Sequence, residues 1–149
     1  MINNSIYSSD NQFWKTPDYV FEHLDKEFDF EGDPCPVKPL FDGLEIEWSD
    51  MNFVNPPYKE ISKWIDKAIF EQAKNHYSVF LIPSRTDTKW FIRAFCNCTE
   101  IRFVIGRIKF VGANNSAPFP SMIVYFGPRP ELSSPKISVV RIPKKRSEK

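Results

Sequence analysis

The sequence predicts an α/β protein built on one mixed sheet, with few helices and with antiparallel strands towards the C-terminal end. The chain has 149 residues, of which 42% are hydrophobic and 15% aromatic, which suits one globular domain with a core. Helical and strand-like segments alternate first, and short strand-like segments separated by turns follow. Prolines, 13 in number against 5 glycines, cluster where these segments end.

Three helices are expected. The first begins at Pro17, with the Thr16 hydroxyl as its cap. The second is the clearest, because apolar residues recur at helical spacing over Ile61–Ala73. The third covers Asp87–Cys96, with Thr86 as its cap.

The expected strands are short and rich in β-branched and aromatic residues. They are Phe28–Phe30, Met51–Val54, Ser78–Ile82, Ile101–Ile105, Arg107–Val111, Ser121–Phe126 and Ile137–Ile142. The continuous apolar run Ser78–Ile82 is typical of a parallel strand that is covered on both faces. Residues 1–142 are expected to form a single domain, and 143–149 a basic, disordered tail.

Composition narrows the class of protein less than the pattern does. Lys and Arg number 20 against 19 Asp and Glu, a net charge of +1, and a nucleic-acid site would then need only a local basic patch. No apolar run approaches the roughly 20 residues of a membrane helix, and the N-terminus does not resemble a secretion signal. Cys35, Cys96 and Cys98 lack the paired spacing of zinc ligands, so reduced thiols in a cytoplasmic protein are expected, without a metal.

The segment with chemical meaning is Asn55-Pro56-Pro57-Tyr58, which lies between a strand and a helix. Open α/β sheets bind ligands at such strand ends. The turn suits methylation of a planar nitrogen, whose lone pair is delocalised and which is therefore a poor nucleophile. Two acceptors, the Asn55 side-chain oxygen and the Pro56 carbonyl, would draw the nitrogen towards tetrahedral geometry, while Pro57 stiffens the turn. Tyr58 offers a face on which an extruded base could stack. The structural alternative is a proline-rich turn that starts a helix.

Further short segments occur in a characteristic order. They are Trp14-Lys15-Thr16-Pro17, Asp33-Pro34-Cys35, Asp42-Gly43-Leu44 with Trp48, Asn55-Pro56-Pro57-Tyr58, Pro83-Ser84-Arg85-Thr86-Asp87-Thr88 with Trp90-Phe91, Ile101-Arg102-Phe103 with Gly106-Arg107, and Asn115-Ser116-Ala117-Pro118-Phe119-Pro120-Ser121. This ordered set resembles the phage-type DNA N6-adenine methyltransferases, a small Dam-like group that uses S-adenosylmethionine. The resemblance implies a Rossmann-like methyltransferase sheet and an enzyme that methylates adenine N6 in double-stranded DNA, phage- or prophage-encoded and acting in the bacterial host.

The resemblance also implies cofactor contacts. Trp14, Thr16 and Pro17 correspond to a motif beside the methionine part of the cofactor, and Asp33-Pro34 to an acid that contacts its amino group or ribose. Asp42 corresponds to the acid that meets the adenine amino group, with Leu44 packed on the ring. Broader amino-methyltransferases have a glycine-rich turn after the first strand, whereas 33–38 contains no glycine. For Asp33 and Asp42, solvated turn acids are the alternative.

The DNA-binding residues are expected on later loops. Arg85 would bind a phosphate, with Asp87 orienting it, unless the pair is only a surface arginine and a helix cap. Arg107 and the loop residues Asn115 and Ser116 are further candidates, with a plain hairpin loop as the alternative. A wider phosphate-binding face would comprise Arg102, Arg107, Lys109, Arg141, Lys144, Lys145 and Arg146. Trp90 and Phe91 are expected in the core.

Two other functions remain open at this point. The same turn chemistry would serve methylation of an RNA base or of a protein glutamine amide, although such enzymes usually carry the glycine-rich turn. The second is a catalytically silent phage module that binds DNA or cofactor. With 149 residues there is little room for a separate recognition domain, so sequence specificity must come from short loops or a homodimer, or be low.

Overall fold

The computed structural model describes residues 15–129 and 134–144. These form three helices and one five-stranded sheet. In chain order the elements are α1 (Asp18–Phe28), β1 (Met51–Val54), α2 (Ile61–Gln72), β2 (Tyr77–Pro83), α3 (Lys89–Asn97), β3 (Glu100–Val104), β4 (Ser121–Phe126) and β5 (Lys136–Val140). Trp14 and residues 145–149 of the expected tail lie outside the described residues.

The sheet has the order β1-β2-β4-β3-β5 and is mixed, as predicted. β1 is parallel to β2, and β3 is parallel to β5, whereas β4 is antiparallel to both β2 and β3. The reversed strand therefore lies inside the sheet and not at its edge. Since the other four strands share one direction, their carboxyl ends meet at the same edge.

Apolar residues cover both faces of the sheet. On one face, Val54, Phe80 and Val124 pack against Trp64 and Ile65 of α2. The other face is covered by α1 and by the connector, residues 105–120 between β3 and β4. There Val20 and Leu24 of α1 join Ile108, Phe110 and Phe119 of the connector, over Phe53, Val79 and Ile123 of the sheet. The connector thus covers the part of this sheet face that a second helix would otherwise cover.

Two predicted strands are wrong. Phe28 ends α1, Asp29 adopts a left-handed conformation with φ of 53°, and the chain joins the sheet only through a bridge between Gly32 and Asn52. Segment 107–111 alternates buried and exposed residues, but it has no neighbouring strand and makes only a bridge from Val111 to Lys15. In both segments local pattern imitates a strand while no ladder partner is available.

The helix starts also differ from expectation. Pro17 caps α1 without a side-chain hydrogen bond, so Thr16 is not its cap. The cap of α3 is Thr88 and not Thr86, since the Thr88 hydroxyl accepts a hydrogen bond from the Phe91 N–H at 3.1 Å. α3 consequently begins two residues later than predicted.

Candidate active site

The loops that follow β1, β2 and β3 all lie at the carboxyl edge of the sheet. Asn55 follows β1, and Ser84 follows β2. The Ser84 N–H donates to the Pro120 carbonyl at 2.9 Å, which joins the β2 loop to the end of the connector. Because β1 and β2 are parallel, Arg85 lies at the same sheet edge as Asn55.

Asn55-Pro56-Pro57-Tyr58 forms a rigid turn at this edge. Pro56 and Pro57 are buried, and the Pro57 carbonyl accepts a hydrogen bond from the Glu60 N–H at 3.0 Å. A short 3-10 turn, Tyr58–Glu60, then leads into α2. Asn55 is half-buried, and its Nδ2 donates to the Thr16 hydroxyl oxygen at 3.1 Å.

A pocket of about 570 Å³ opens on the Asn55 side of the turn and is called the Asn55 pocket below. Its lining mixes charged, polar and apolar side chains, namely Lys15, Thr16, Asp18, Phe21, Asp33, Cys35, Val37, Lys38, Phe53 and Asn55. Thr16 and Asp33, both predicted to contact cofactor, thus lie in one pocket with Asn55. Pro17 is buried next to it as the cap residue of α1.

Asp42 and Leu44 line a neighbouring pocket of about 510 Å³, together with Pro34, Phe41 and Trp64 among others. It is called the Asp42 pocket below. Cys35 lines both pockets and so stands between them. The residues predicted to hold cofactor are therefore divided between two adjoining pockets.

Asp33 and Asp42 each stabilise a turn of their own chain. Asp33 Oδ1 accepts the Cys35 N–H at 3.1 Å, and Asp42 Oδ1 accepts the Leu44 N–H at 2.9 Å. Although Asp33 keeps part of its surface exposed, the surrounding protein raises the pKa of its carboxyl, against the effect of the Cys35 N–H. In both residues Oδ1 serves the turn, and Oδ2 is the second acceptor that each carboxylate offers.

Close packing around Gly43 leaves no space for a side chain between Asp42 and Leu44. A Cβ at this position would lie 1.9 Å from the Pro34 carbonyl oxygen and 2.7 Å from a ring carbon of Trp64. The Gly43 carbonyl accepts a hydrogen bond from the Trp48 indole at 2.8 Å. This close approach fixes the wall of the Asp42 pocket against the core.

The three thiols differ in accessibility. Cys35 and Cys98 are buried, whereas Cys96, at the end of α3, is exposed. Burial raises the pKa of Cys35 to about 12 and that of Cys98 to about 12. The Cys35 thiol therefore contributes a neutral surface to both pockets.

A third pocket, of about 250 Å³, opens at the Tyr58 end of the turn and is called the Tyr58 pocket. It is lined by Tyr58, Lys59, Ile61, Pro83, Arg85, Trp90, Pro118 and Phe119. Tyr58 and Phe119 meet edge to face, with ring centroids 5.2 Å apart, and the Arg85 guanidinium lies 6.0 Å from the Phe119 centroid. Burial raises the pKa of Tyr58 above its ordinary value, although Arg85 opposes the shift, so the phenol stays neutral.

The predicted DNA-binding residues lie on two loops, the one that follows β2 and the connector. Arg85 and Asp87 make no ion pair with each other, and the Arg85 guanidinium lies over the Phe119 ring. Arg107 donates to the Ala117 carbonyl at 3.4 Å and braces the connector, on which Asn115 and Ser116 are exposed.

Arg102 does not belong to a phosphate-binding face. Its guanidinium donates to both carboxylate oxygens of Glu27, at 2.8 and 2.6 Å, and to Glu100 at 2.8 Å. These bonds lower the pKa of Glu27 and raise that of Arg102. The arginine is neutralised inside a structural network between α1 and β3.

Sequence reasoning missed the pocket roles of Phe119, Trp90 and Cys35. Trp90 packs partly against the core, as expected, but it also lines the Tyr58 pocket. Phe119 lies between two prolines, which restrict its backbone. This feature of the sequence could have indicated that Phe119 forms a rigid part of a pocket wall.

Within 15–129 and 134–144, no group of three or more His, Cys, Asp or Glu residues could hold a metal ion. The same part of the chain contains no helix long and apolar enough to cross a membrane.

An α/β sheet that carries an Asn-Pro-Pro-Tyr turn and two pockets at its carboxyl edge has the arrangement expected of an enzyme that methylates a planar nitrogen. The chain belongs to the DNA N-6-adenine-methyltransferase (Dam) family, whose model matches residues 4–145. The resemblance, the enzyme class and the fold class expected from the sequence are confirmed.

Similar proteins include a phage enzyme and a solved bacterial structure. The DNA N-6-adenine-methyltransferase of Haemophilus phage HP1 (strain HP1c1) is 27% identical to this chain over an alignment of 165 residues, gaps included. The alignment covers 95% of this chain and 94% of the relative. A solved structure from Listeria monocytogenes, described as a candidate class I S-adenosylmethionine-dependent methyltransferase, is 13% identical with a TM-score of 0.42. That alignment covers 68% of this chain and 40% of the Listeria protein.

Proposed function

We propose that this protein transfers a methyl group from S-adenosylmethionine to N6 of an adenine in double-stranded DNA, with Asn55-Pro56-Pro57-Tyr58 as its catalytic turn. One observation carries the proposal. Asn55, the first residue of the turn, lines the Asn55 pocket, and Tyr58, its last residue, lines the Tyr58 pocket, so a methyl donor in one pocket would meet a target base from the other at the turn. Methyl transfer requires the two substrates to meet at one point in a fixed orientation.

The Asn55 pocket suits S-adenosylmethionine. Its volume of about 570 Å³ lies in the range of small-ligand sites. Asp18 and Asp33 can accept from an amino group, and Lys15 and Lys38 can meet a carboxylate, while Phe21 and Phe53 give apolar surface. Thr16 lies beside them.

Asp42 and Leu44 are assigned to the adenosine end of the same cofactor. The support is Cys35, which lines both the Asn55 pocket and the Asp42 pocket. The neutral thiol favours an uncharged portion of the ligand at this point. When bound, the cofactor supplies an electrophilic methyl group; the chain orients it and excludes water.

The target nitrogen is activated by acceptors. The Asn55 side-chain oxygen and the Pro56 carbonyl accept the two hydrogens of the adenine amino group and stabilise the positive charge that develops on the nitrogen. The buried prolines hold these acceptors in place. No general base is required before transfer, because the neutral amino group is hardly acidic.

The Tyr58 pocket suits a flipped, planar base. Tyr58, Trp90 and Phe119 provide aromatic surface, and Pro83 and Pro118 complete an apolar wall. Stacking on an aromatic ring stabilises an extruded base by roughly 1–3 kcal/mol. The neutral Tyr58 phenol keeps its ring suited to such stacking.

DNA contacts are assigned to the loops at the same edge. Arg85 lines the Tyr58 pocket, is exposed to solvent, and would bind a phosphate beside the flipped base. Arg107, Asn115 and Ser116 of the connector and the exposed Asp87 complete the contact surface. These short loops, or a homodimer, would supply sequence specificity.

The protein is placed in the bacterial cytoplasm, where its DNA substrate lies, and its gene in a phage or prophage, as for the HP1 relative. The chain is treated as one domain over 1–142 with a basic tail.

The function is tested by incubating the protein with S-adenosylmethionine labelled on its methyl group and adenine-containing duplex DNA, followed by nucleoside analysis. We expect label in N6-methyladenosine, and a cofactor-dependent rise in melting temperature because the cofactor binds the folded state. Label in RNA or in glutamine would favour those substrates. No label and no calorimetric binding at millimolar cofactor would favour a silent module.

A further inference from the structure

Strand β5 forms one edge of the sheet, and within residues 15–129 and 134–144 no strand pairs with its outer side. Proteins usually protect such an edge with charged side chains or proline. Residues 137–140 of β5 are Ile, Ser, Val and Val, so neither a charge nor a proline interrupts this stretch. The edge is therefore open to pairing with a further strand.

The main-chain groups of two residues in β5 point away from the sheet. The Lys136 N–H donates at 3.1 Å to the chain just before β3, and the Val140 carbonyl accepts at 2.9 Å from the chain just after β3. Successive residues of a strand direct these groups to opposite sides, so Lys136, Ser138 and Val140 bond to β3. The N–H and C=O groups of Ile137 and Val139 consequently face outward.

The same two residues also present large apolar side chains to solvent. Ile137 is 52% exposed and Val139 is 66% exposed. They lie beside Ile101 and Phe103 of β3, whose side chains belong to the core on the α2 side of the sheet. The apolar face of the sheet thus continues to its β5 edge without a cover.

The sequence of β5 is complementary to itself. If two copies pair antiparallel about Ser138, Ile137 lies opposite Val139 of the second copy, and Val139 lies opposite Ile137. Both are hydrogen-bonded pairs, so the four outward N–H groups of the two copies meet four outward carbonyls. Apolar side chains meet apolar side chains on one face. Lys136 lies opposite Val140 of the second copy, so like charges do not oppose each other.

We propose that β5 pairs with β5 of a second copy of this chain and forms a two-fold symmetric dimer. Two five-stranded sheets then join into one continuous sheet. Antiparallel pairing directs the carboxyl edges of the two sheets, and with them the two catalytic turns, in opposite directions. Under the proposed function the dimer would hold two separate DNA segments, and sequence specificity would be left to the loops. The dimer itself does not depend on that function.

The first test is sedimentation equilibrium of the full chain over roughly 1–300 μM. A pair of five-residue strands is a small interface, so we expect a dissociation constant in the micromolar range and a mass that rises from 17.5 kDa towards twice that value. Val139→Lys places a charge in the interface and should raise the dissociation constant at least about tenfold. Val111→Lys is the matched control, because Val111 is also half exposed but lies on the connector, and it should change the constant less than about twofold.

The second test examines the register, in a Cys96→Ser background that removes the exposed thiol. Ser138 lies opposite its own counterpart in a non-hydrogen-bonded pair, where the Cα atoms are about 4.5 Å apart and a disulfide fits. Ser138→Cys should therefore form a disulfide-linked dimer on oxidation with diamide. Lys136→Cys should not, because its counterpart lies four residues away along the strand, roughly 14 Å. This readout stands even if Val139→Lys does not fold.

A monomeric mass at every concentration would overturn the proposal and leave the edge to solvent or to another segment. An association that Val139→Lys does not weaken would place the interface elsewhere, and equal cross-linking of Ser138→Cys and Lys136→Cys would contradict the register. None of these measurements requires methylation of adenine, so their failure is distinct from failure of the proposed function.

Discussion

Tyr58 and Phe119 meet edge to face at 89°, although they belong to the turn after β1 and to the end of the connector. The contact sets the direction of the Tyr58 ring, since an aromatic edge packed against a face restricts rotation of both rings. Phe119 is itself 7% exposed and packs with the connector core. A residue outside the catalytic turn therefore supports the surface on which the base is proposed to stack.

Phe119→Leu should loosen Tyr58 and weaken binding of an extruded base. An edge-to-face pair contributes about 0.5–1.5 kcal/mol, so the affinity should fall about 2- to 13-fold. The measurement is fluorescence of 2-aminopurine placed at the target site. Phe126→Leu is the matched control, because Phe126 makes a similar pair with Phe80 at 5.3 Å near the opposite sheet edge. If the control lowers affinity equally, the effect is one of general stability.

Tyr58→Ala should weaken binding of the flipped base by the stacking energy, roughly 1–3 kcal/mol. Tyr58→Phe should be mild because the ring remains. The raised pKa of Tyr58 means that the phenol stays protonated through neutral and mildly basic pH. The pH–rate profiles of the parent and of Tyr58→Phe should therefore coincide between pH 7 and 9, and a basic limb lost only in Tyr58→Phe would show that the hydroxyl ionises during catalysis.

Asn55→Ala should lower the methylation rate on the order of 10²–10³-fold, because it removes one of two acceptors for the target amino group. Asn55→Asp should keep substantial activity, since a carboxylate oxygen can accept the same hydrogen bond. Single-turnover rates and cofactor affinity are measured together, so that a loss in the rate of transfer is distinguished from a loss of cofactor binding. Parental activity in Asn55→Ala, or equal inactivity of both folded variants, contradicts the acceptor mechanism.

Arg85→Ala should weaken DNA binding alike for all sequences and reduce the slope of log affinity against log salt by about one. The reason is loss of one phosphate contact. Arg93→Ala is the control, because Arg93 is an arginine of α3 held by Asp66 and Ser62 on α2. A loss confined to one base position would show that Arg85 reads sequence.

Glu71 links α2 to the loops on either side and should make the fold sensitive to acid. The pKa of this buried carboxyl is lowered to about 2: burial alone would raise it, but hydrogen bonds from Lys67, His76 and the Trp48 N–H outweigh that effect. A lowered pKa stabilises the fold above the ordinary value of 4.5, and this contribution is lost as the pH falls from 4.5 towards 2.

Glu71→Gln should therefore lower the free energy of unfolding at pH 7 by roughly 1.5–3 kcal/mol, and should flatten its decline below pH 4.5. Urea unfolding at several pH values measures both effects. Asp66→Asn, at an exposed ion pair with Arg93, should change stability far less. Parallel pH curves for the parent and Glu71→Gln would contradict this account.

Local pattern predicted most of the sheet and the strongest helix. Met51–Val54 and Ser121–Phe126 match β1 and β4, since each is a short apolar run bounded by turn residues. The Asn55–Tyr58 turn was recognisable because its residue types carry chemistry by themselves.

The features that were predicted wrongly or missed depend on contacts with residues distant in sequence. Phe28 and Phe30 have strand-like side chains, but they stack on each other at 6.0 Å, and Phe28 meets Tyr125 at 4.9 Å. Ile108 and Phe110 alternate with exposed cations as in a strand, yet they only fill the space beside α1. The pocket role of Phe119 likewise depends on Tyr58, 61 positions earlier, and no local pattern reports it.

Because only one of the three thiols is exposed, the protein can be labelled at a single cysteine. Burial raises the pKa of the Cys35 thiol to about 12, so the thiol stays protonated at neutral pH, and Cys98 is equally shielded. Maleimide reagents should therefore modify Cys96, which lies at the end of α3, where the chain turns back into the amino end of β3. A fluorophore or a surface tether joined there sits across the sheet from both pockets, and the native chain can be followed on single DNA molecules without removing any cysteine.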